Sequence, residues 1–212
     1  MTGRRLLLAG LAALPAAPAM ALPVPATRRL AFRVVRSGSS IGQHVLTFDE
    51  EGSRLTVQVA VDLAVGLGPI TFYRYRHRAT ERWEDGRVVA FQAETNDDGT
   101  VSTIAMRLDG DALAVESSQA GRYRAPPGAL PATHWNRRML DGPFINTQTG
   151  EVLRPAIARP GVEPVPWSPQ RRAERYVLTG PIDLETWYDT TPVWVGLRFR
   201  GRDGSSIHYE QA

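Results

Sequence analysis

The chain contains no cysteine and no lysine. Without cysteine there is no disulfide to staple the fold and no thiol for a lipid anchor. The domain must therefore hold together through its core, and about 190 residues suffice for that. Long apolar runs are missing too. The run Leu6–Leu14 is well short of the roughly 20 residues that cross a bilayer. A strong charge excess is absent. The net charge is +3, and without Arg4 and Arg5 it is 23 basic against 22 acidic residues, or +1. A near-neutral balance argues against nucleic acid as a partner. The four histidines, His44, His77, His134 and His208, are scattered. No two fall at a short metal-ligand spacing, so neither a metal site nor a cofactor is expected.

The first 21 residues read as an export signal. Arg4-Arg5 supplies a charged start, Leu6–Leu14 an apolar stretch, and Ala19-Met20-Ala21 an A-x-A cleavage site. A removable signal peptide is expected over 1–21, with the export machinery as its partner. One mature β domain is expected over 22–212, in the periplasm or secreted. Arg4-Arg5-Leu6-Leu7-Leu8 also resembles the twin-arginine signal, with Gly3 where that pattern usually has Ser or Thr.

Beyond a Pro-containing lead-in the periodicity is two. Leu55, Val57, Val59, Val61 and Leu63 alternate with Thr56, Gln58, Ala60 and Asp62, the pattern of a half-buried strand. Similar runs occur at Leu30–Val35, Val45–Phe48, Ile70–Trp83, Val88–Thr95, Val101–Leu108, Ala112–Glu116, Arg175–Leu178, Leu184–Tyr188, Val193–Phe199 and Ile207–Glu210. Turn signals such as Asp85-Gly86, Asp98-Gly99 and Asp109-Gly110 separate them. The expected fold class is all-β: a single antiparallel curled sheet or barrel-like meander with at most one short helix. That helix is placed over Trp135–Leu140, with Thr133 as its cap. Pro126–Pro131 and Pro155–Pro169 read as loops.

One hairpin can be given an inside and an outside. Tyr73, Tyr75, His77, Ala79, Glu81 and Trp83 share one face of the strand; Arg74, Arg76, Arg78 and Arg82 share the other. Burying four unpaired guanidiniums is far too costly, so the aromatic face points in. A three-residue Glu84-Asp85-Gly86 loop gives that register and sets Arg76 opposite Glu94.

Five short motifs follow one another along the chain: Glu81-x-Trp83-x-Asp85-Gly86, Thr95-Asn96-Asp97-Asp98-Gly99, His134-Trp135-Asn136, Asn146-Thr147-Gln148-Thr149-Gly150 and Trp187-Tyr188-Asp189. On these motifs the chain resembles a family of exported bacterial proteins known only as a domain of unknown function. Its last third, with Trp187-Tyr188-Asp189, Leu197, Phe199 and Asp203-Gly204, is similar to a second uncharacterised envelope family with a curled β-sheet. The resemblance implies export and fold, and no catalytic role.

Gly38-Ser39-Ser40-Ile41-Gly42 matches G-x-S-x-G, but a nucleophile elbow leads from a strand into a helix and this one leads into another strand. It reads as a hairpin. Trp187 is expected to face Trp194 across a hairpin, with Asp189 starting the turn. His77 and Glu81 lie about 13 Å apart along their strand and could both line one concavity. Tyr73, Tyr75, His77, Glu81, Trp83, His134, Trp135 and Asn136 form the candidate ligand-binding set. The expected function is to bind or carry a lipid or other amphipathic envelope molecule, with His77, Glu81 and Trp135 at its polar end. The alternatives are an envelope hydrolase using His77 or His134, and an interaction scaffold using the arginine row. Replacing Arg4-Arg5 with two lysines is expected to block export through the twin-arginine route, followed by cell fractionation. Undiminished export would remove that reading.

Overall fold

The structure is a computed structural model that describes residues 22–67 and 70–212. The expected signal at 1–21, with Arg4, Arg5, Ala19 and Ala21, lies outside the described residues. The first strands are β1 (Arg29–Arg36), β2 (Ser39–Glu51), β3 (Arg54–Leu67), β4 (Ile70–Glu84), β5 (Arg87–Asp97), β6 (Thr100–Asp109), β7 (Ala112–Ser117) and β8 (Gly121–Arg124). A connecting segment carries β9 (Leu130–Pro131), a 3-10 turn at Arg137–Asp141, β10 (Phe144–Ile145) and β11 (Val152–Leu153). The remaining strands are β12 (Ala156–Val165), β13 (Ser168–Thr179), β14 (Leu184–Tyr188), β15 (Trp194–Arg200) and β16 (Ser206–Gln211).

Thirteen of these form one curled antiparallel sheet in the order β12-β13-β14-β15-β16-β1-β2-β3-β4-β5-β6-β7-β8. The chain thus leaves one edge at β8 and re-enters at the other edge with β12. The connection between them fills the inside of the curl. Trp135, Met139, Leu140, Phe144 and Ile145 are buried in the same core as Phe48, Val57, Phe91 and Val115 from one flank and Tyr176 and Leu178 from the other. Within this plug β10 pairs with β9 and β11 in a small second sheet.

Polar contacts fasten the plug to the β6–β8 flank. Ser102 Oγ donates to the Gln148 carbonyl (3.0 Å), Ser117 Oγ to that of Thr149 (2.6 Å), and Tyr123 Oη to that of Gly150. Gly150 has φ +81°, and a Cβ there would lie 2.5 Å from the Ser117 Cβ. Any larger residue would push the plug off the sheet.

The inside and outside of β3 and β4 follow the alternation. Val57, Val59 and Val61 are buried from β3, and His77, Ala79, Glu81 and Trp83 from β4, while Arg74, Arg76, Arg78 and Arg82 are exposed. The turn differs from the expected three-residue loop. Asp85 (φ 48°) and Gly86 (φ 73°) form a two-residue turn closed by Glu84 and Arg87. A bulge then inserts Val89, since Arg82 pairs with Ala90 and Trp83 with Val88. The tight turn suits strand twist, and the extra residue restores the face. Arg76 therefore lies opposite Asn96, and Arg78 opposite Glu94.

Three more expectations change, and one strand is new. The helix over Trp135–Leu140 is instead a 3-10 turn capped by Asn136, whose side chain accepts from the Arg138 amide (3.1 Å). His134 has φ 65°, which prevents a helix from starting at Thr133. Much of Pro155–Pro169 is strand β12. Edge strands tolerate proline because one side has no ladder partner, and Pro160 sits in a bulge. β8 was concealed by its four-residue length. Trp187 does not face Trp194: it pairs with Gly196 across a bulge and turns to the outer face. There it packs with Val165, Ala173, Val195 and Trp167 in a separate cluster. Asp189 does organise its turn, accepting from the Thr191 and Val193 amides (2.9 and 3.0 Å). The G-x-S-x-G segment is a β1–β2 hairpin with exposed Ser40.

Candidate functional site

Antiparallel register lines up inward side chains into rows across the curl. One row runs Phe32, His44, Val61, His77, Thr95, Ser102 from β1 to β6, and every member is buried. Two rows further along lie Phe48, Val57, Glu81, Phe91 and Met106. His77 and Glu81 are thus on one face but at different depths, and the structure does not bring them to one site.

Glu81 sits at the plugged depth, fully buried. Its Oε2 accepts from both the Trp83 indole (2.8 Å) and the Trp135 indole (3.0 Å), whose rings meet edge-on at 5.4 Å. Burial raises the Glu81 carboxyl above its ordinary range, against the opposing pull of hydrogen bonds from Thr133, Trp83 and Trp135. Glu81, Trp83 and Trp135 are therefore a knot between β4 and the plug, and Asn136 serves the 3-10 turn beside it. None of these four lines the cavity beyond.

At the other end, a cavity of about 640 Å³ opens to solvent. Its walls include Val61, Leu63, Val65, Tyr73, Tyr75, Leu184, Leu197, Phe199 and Ile207. Its rim carries Arg36, Asp97, Asp183, Arg202 and Asp203, with Arg36 paired to Asp203 and bonded to Ser205 Oγ (3.0 Å). Beside the mouth, the β3–β4 hairpin continues past its neighbours. β2 leaves β3 at Leu63 and β5 leaves β4 at Tyr75, while β3 and β4 stay paired to Leu67 and Ile70. Ile70 and Phe72 are exposed on this projection.

Three histidines sit at the inner end of the cavity: His44, His77 and His134. His77 Nδ1 is 2.8 Å from Thr95 Oγ1. His134, in the left-handed region, stacks on Trp194 (5.5 Å, 22°), and its carbonyl accepts from Tyr188 Oη (2.7 Å). His44 is 6% exposed, enclosed by Phe32, Trp194 and Tyr209, and neither ring nitrogen has a partner among the described residues. Burial lowers all three imidazoles. His77 and His134 fall to about 4, His77 with help from Arg78. His44 falls to about 3, where His134 and His77 add to burial. At neutral pH each is uncharged and offers one donor and one acceptor.

Of the expected ligand-binding set, Tyr73, Tyr75, His77 and His134 line the cavity, while Glu81, Trp83, Trp135 and Asn136 lie beneath it. The sequence reading missed His44 as part of the cavity lining, and Trp194 as the ring that backs His134 and His44. The signal for His44 was its cross-strand position: the β2–β3 register sets it opposite Val61, which faces His77 on the other side. Among the described residues no group of three or more His, Cys, Asp or Glu is placed to hold a metal ion.

This architecture, a curled antiparallel sheet with an internal plug and a cavity open at one end, is that of a β-barrel-like protein. Among solved structures it is similar to the β-barrel-like protein of domain of unknown function DUF1849 from Brucella abortus. The TM-score is 0.59 at 9% identity, over 87% of this chain and 94% of that one. The chain belongs to the DUF6134 family, a domain of unknown function whose profile matches residues 32–212. No curated protein matches it. These findings agree with the expected membership of an uncharacterised family with a distant β-sheet relative.

The lowered imidazoles have a consequence for stability. Each is neutral in the folded chain and charges near pH 6.5 when unfolded, so its contribution is complete above about 6.5 and is lost as pH falls toward 4. His44→Phe removes one such group and adds a ring to an aromatic enclosure. Urea midpoints at pH 7.5 and 5.0 are expected to differ less in this variant than in the wild type. An equal or larger drop in the variant would contradict the burial of a neutral His44.

Proposed function

We propose that the chain is exported to the bacterial envelope and there binds one amphipathic small molecule in the open-ended cavity. The observation that carries this reading is the cavity itself. Ligand sites commonly enclose about 300–1,000 Å³, with apolar walls and a few convergent polar groups. Here about 640 Å³ is walled by aliphatic and aromatic side chains, with three uncharged imidazoles at the inner end and ionic groups confined to the rim. The polar end of the ligand meets His77 and His134, and not Glu81 or Trp135, which are sealed into the plug. Export rests on the residues of the first segment, Arg4-Arg5 and Ala19-Met20-Ala21.

A hydrolase reading draws no comparable support. Among the described residues, none of His44, His77 and His134 has a carboxylate as hydrogen-bond partner, the arrangement that orients a catalytic base. The arginine row is partly engaged as well. Arg78 binds Asp62 through two hydrogen bonds (2.7 and 2.8 Å), and Arg76 lies 3.6 Å from the same carboxylate.

Native mass spectrometry of protein purified from the envelope of a producing bacterium tests the binding reading. A single small-molecule adduct is expected, and Leu63→Trp, which places an indole in the cavity, is expected to remove it. Wild-type protein that is always empty, or an adduct unaffected by filling the cavity, would overturn the reading.

A further inference from the structure

We infer that the ligand enters head first and that its head is an uncharged hydrogen-bonding group, a hydroxyl or a carbonyl, received by His77 and His134. This deepens the binding reading above and rests on it. The inner end of the cavity has polar atoms but no formal charge. His77 uses Nδ1 on Thr95, and Nε2 is left for the cavity. His134 stacks flat on Trp194, which fixes the direction of its ring edge. His44 stands with them at the same depth, nine-tenths buried and without a hydrogen-bond partner among the described residues. A buried imidazole left unpaired costs about 1–3 kcal/mol. Three at one depth, walled by apolar side chains, make a polar patch that a non-polar tail would leave unsatisfied.

The charges are elsewhere. Arg36, Arg202, Asp97, Asp183 and Asp203 all sit at the rim. An ammonium or phosphate head driven to the inner end would lose its hydration and meet no counter-ion, a heavy penalty in an apolar enclosure. A hydroxyl or carbonyl loses far less and gains a donor or an acceptor from a neutral imidazole. The tail then lies against Leu63, Tyr75, Leu197 and Phe199 on the way out to the mouth. A charged-head lipid would instead keep its head among the rim residues and send its tail inward.

Three probes that share a ten-carbon alkyl chain separate these cases: 1-decanol, decyltrimethylammonium and decyl phosphate. Binding to the full chain is followed by calorimetry and by the emission of its tryptophans, since Trp194 lies under His134. Decanol is expected to bind at least ten-fold more tightly than either ionic probe. His77→Phe is expected to weaken decanol about ten-fold and to leave the ionic probes unchanged. Because His77→Phe also frees Thr95, a second readout uses wild-type protein. Decanol is expected to shift the imidazole nitrogen resonances of His77 and His134 in a ¹⁵N spectrum. Ionic probes that equal or exceed decanol, or histidine resonances that stay put when decanol binds, would overturn the head-first assignment and leave the cavity reading standing. Failure of all three probes, together with empty envelope-purified protein, would overturn the cavity reading itself.

Discussion

A carboxyl group buried beneath two indoles organises this molecule. Glu81 comes from a strand of the curled sheet, Trp135 from the segment that fills the curl, and the two are 54 residues apart in the chain. Trp83, two residues along the same strand, donates to the same oxygen and packs its ring against that of Trp135. Removing the acceptor would strand two buried indole N–H groups, at about 1–3 kcal/mol each. The interaction is therefore specific as well as stabilising. It fixes which indole enters the core and at what depth.

Everything on the far side of that knot follows from it. The plug reaches only part of the way along the curl, so one end is filled and the other is hollow. The plug's own His134 and Thr133 then form part of the cavity lining, next to His44 and His77 from the sheet. The same segment carries the Asn146–Gly150 turn that accepts hydrogen bonds from Ser102, Ser117 and Tyr123. One connection between two sheet edges thus supplies both the filling of the core and part of the cavity wall. Burial between the plug and the sheet keeps the three imidazoles uncharged at neutral pH.

Alternation along β3 and β4 makes the sheet and its two faces legible in the sequence alone. The exclusion of four arginines from the core was enough to put His77, Glu81 and Trp83 inside. Depth was not legible. Whether His77 and Glu81 share a site depends on where the plug stops, and that is set by contacts between residues far apart in sequence. His44 was missed because its place in the row is set by pairing with Phe32 and Val61 on neighbouring strands, a register that the sequence of its own strand does not show. Bulges account for other differences: Val89 changed the partner of each arginine while preserving its face, and Val195 is the extra residue that turns Trp194 inward while Trp187, alternating with Leu184 and Tyr188, stays on the outer face. The prolines of β12 masked a strand that tolerates them at the edge of a sheet.

Glu81 pins the plug and so defines the cavity. Hydrogen exchange read by mass spectrometry on the wild type, Glu81→Gln and Glu81→Leu tests it most directly. Glutamine keeps a carbonyl acceptor for the two indoles, so protection across residues 130–150 is expected to stay near wild type. Leucine removes it, and protection there is expected to fall by about ten-fold or more while strands β1–β3 remain protected. Undiminished protection of residues 130–150 in Glu81→Leu would contradict a plug held by this carboxyl group.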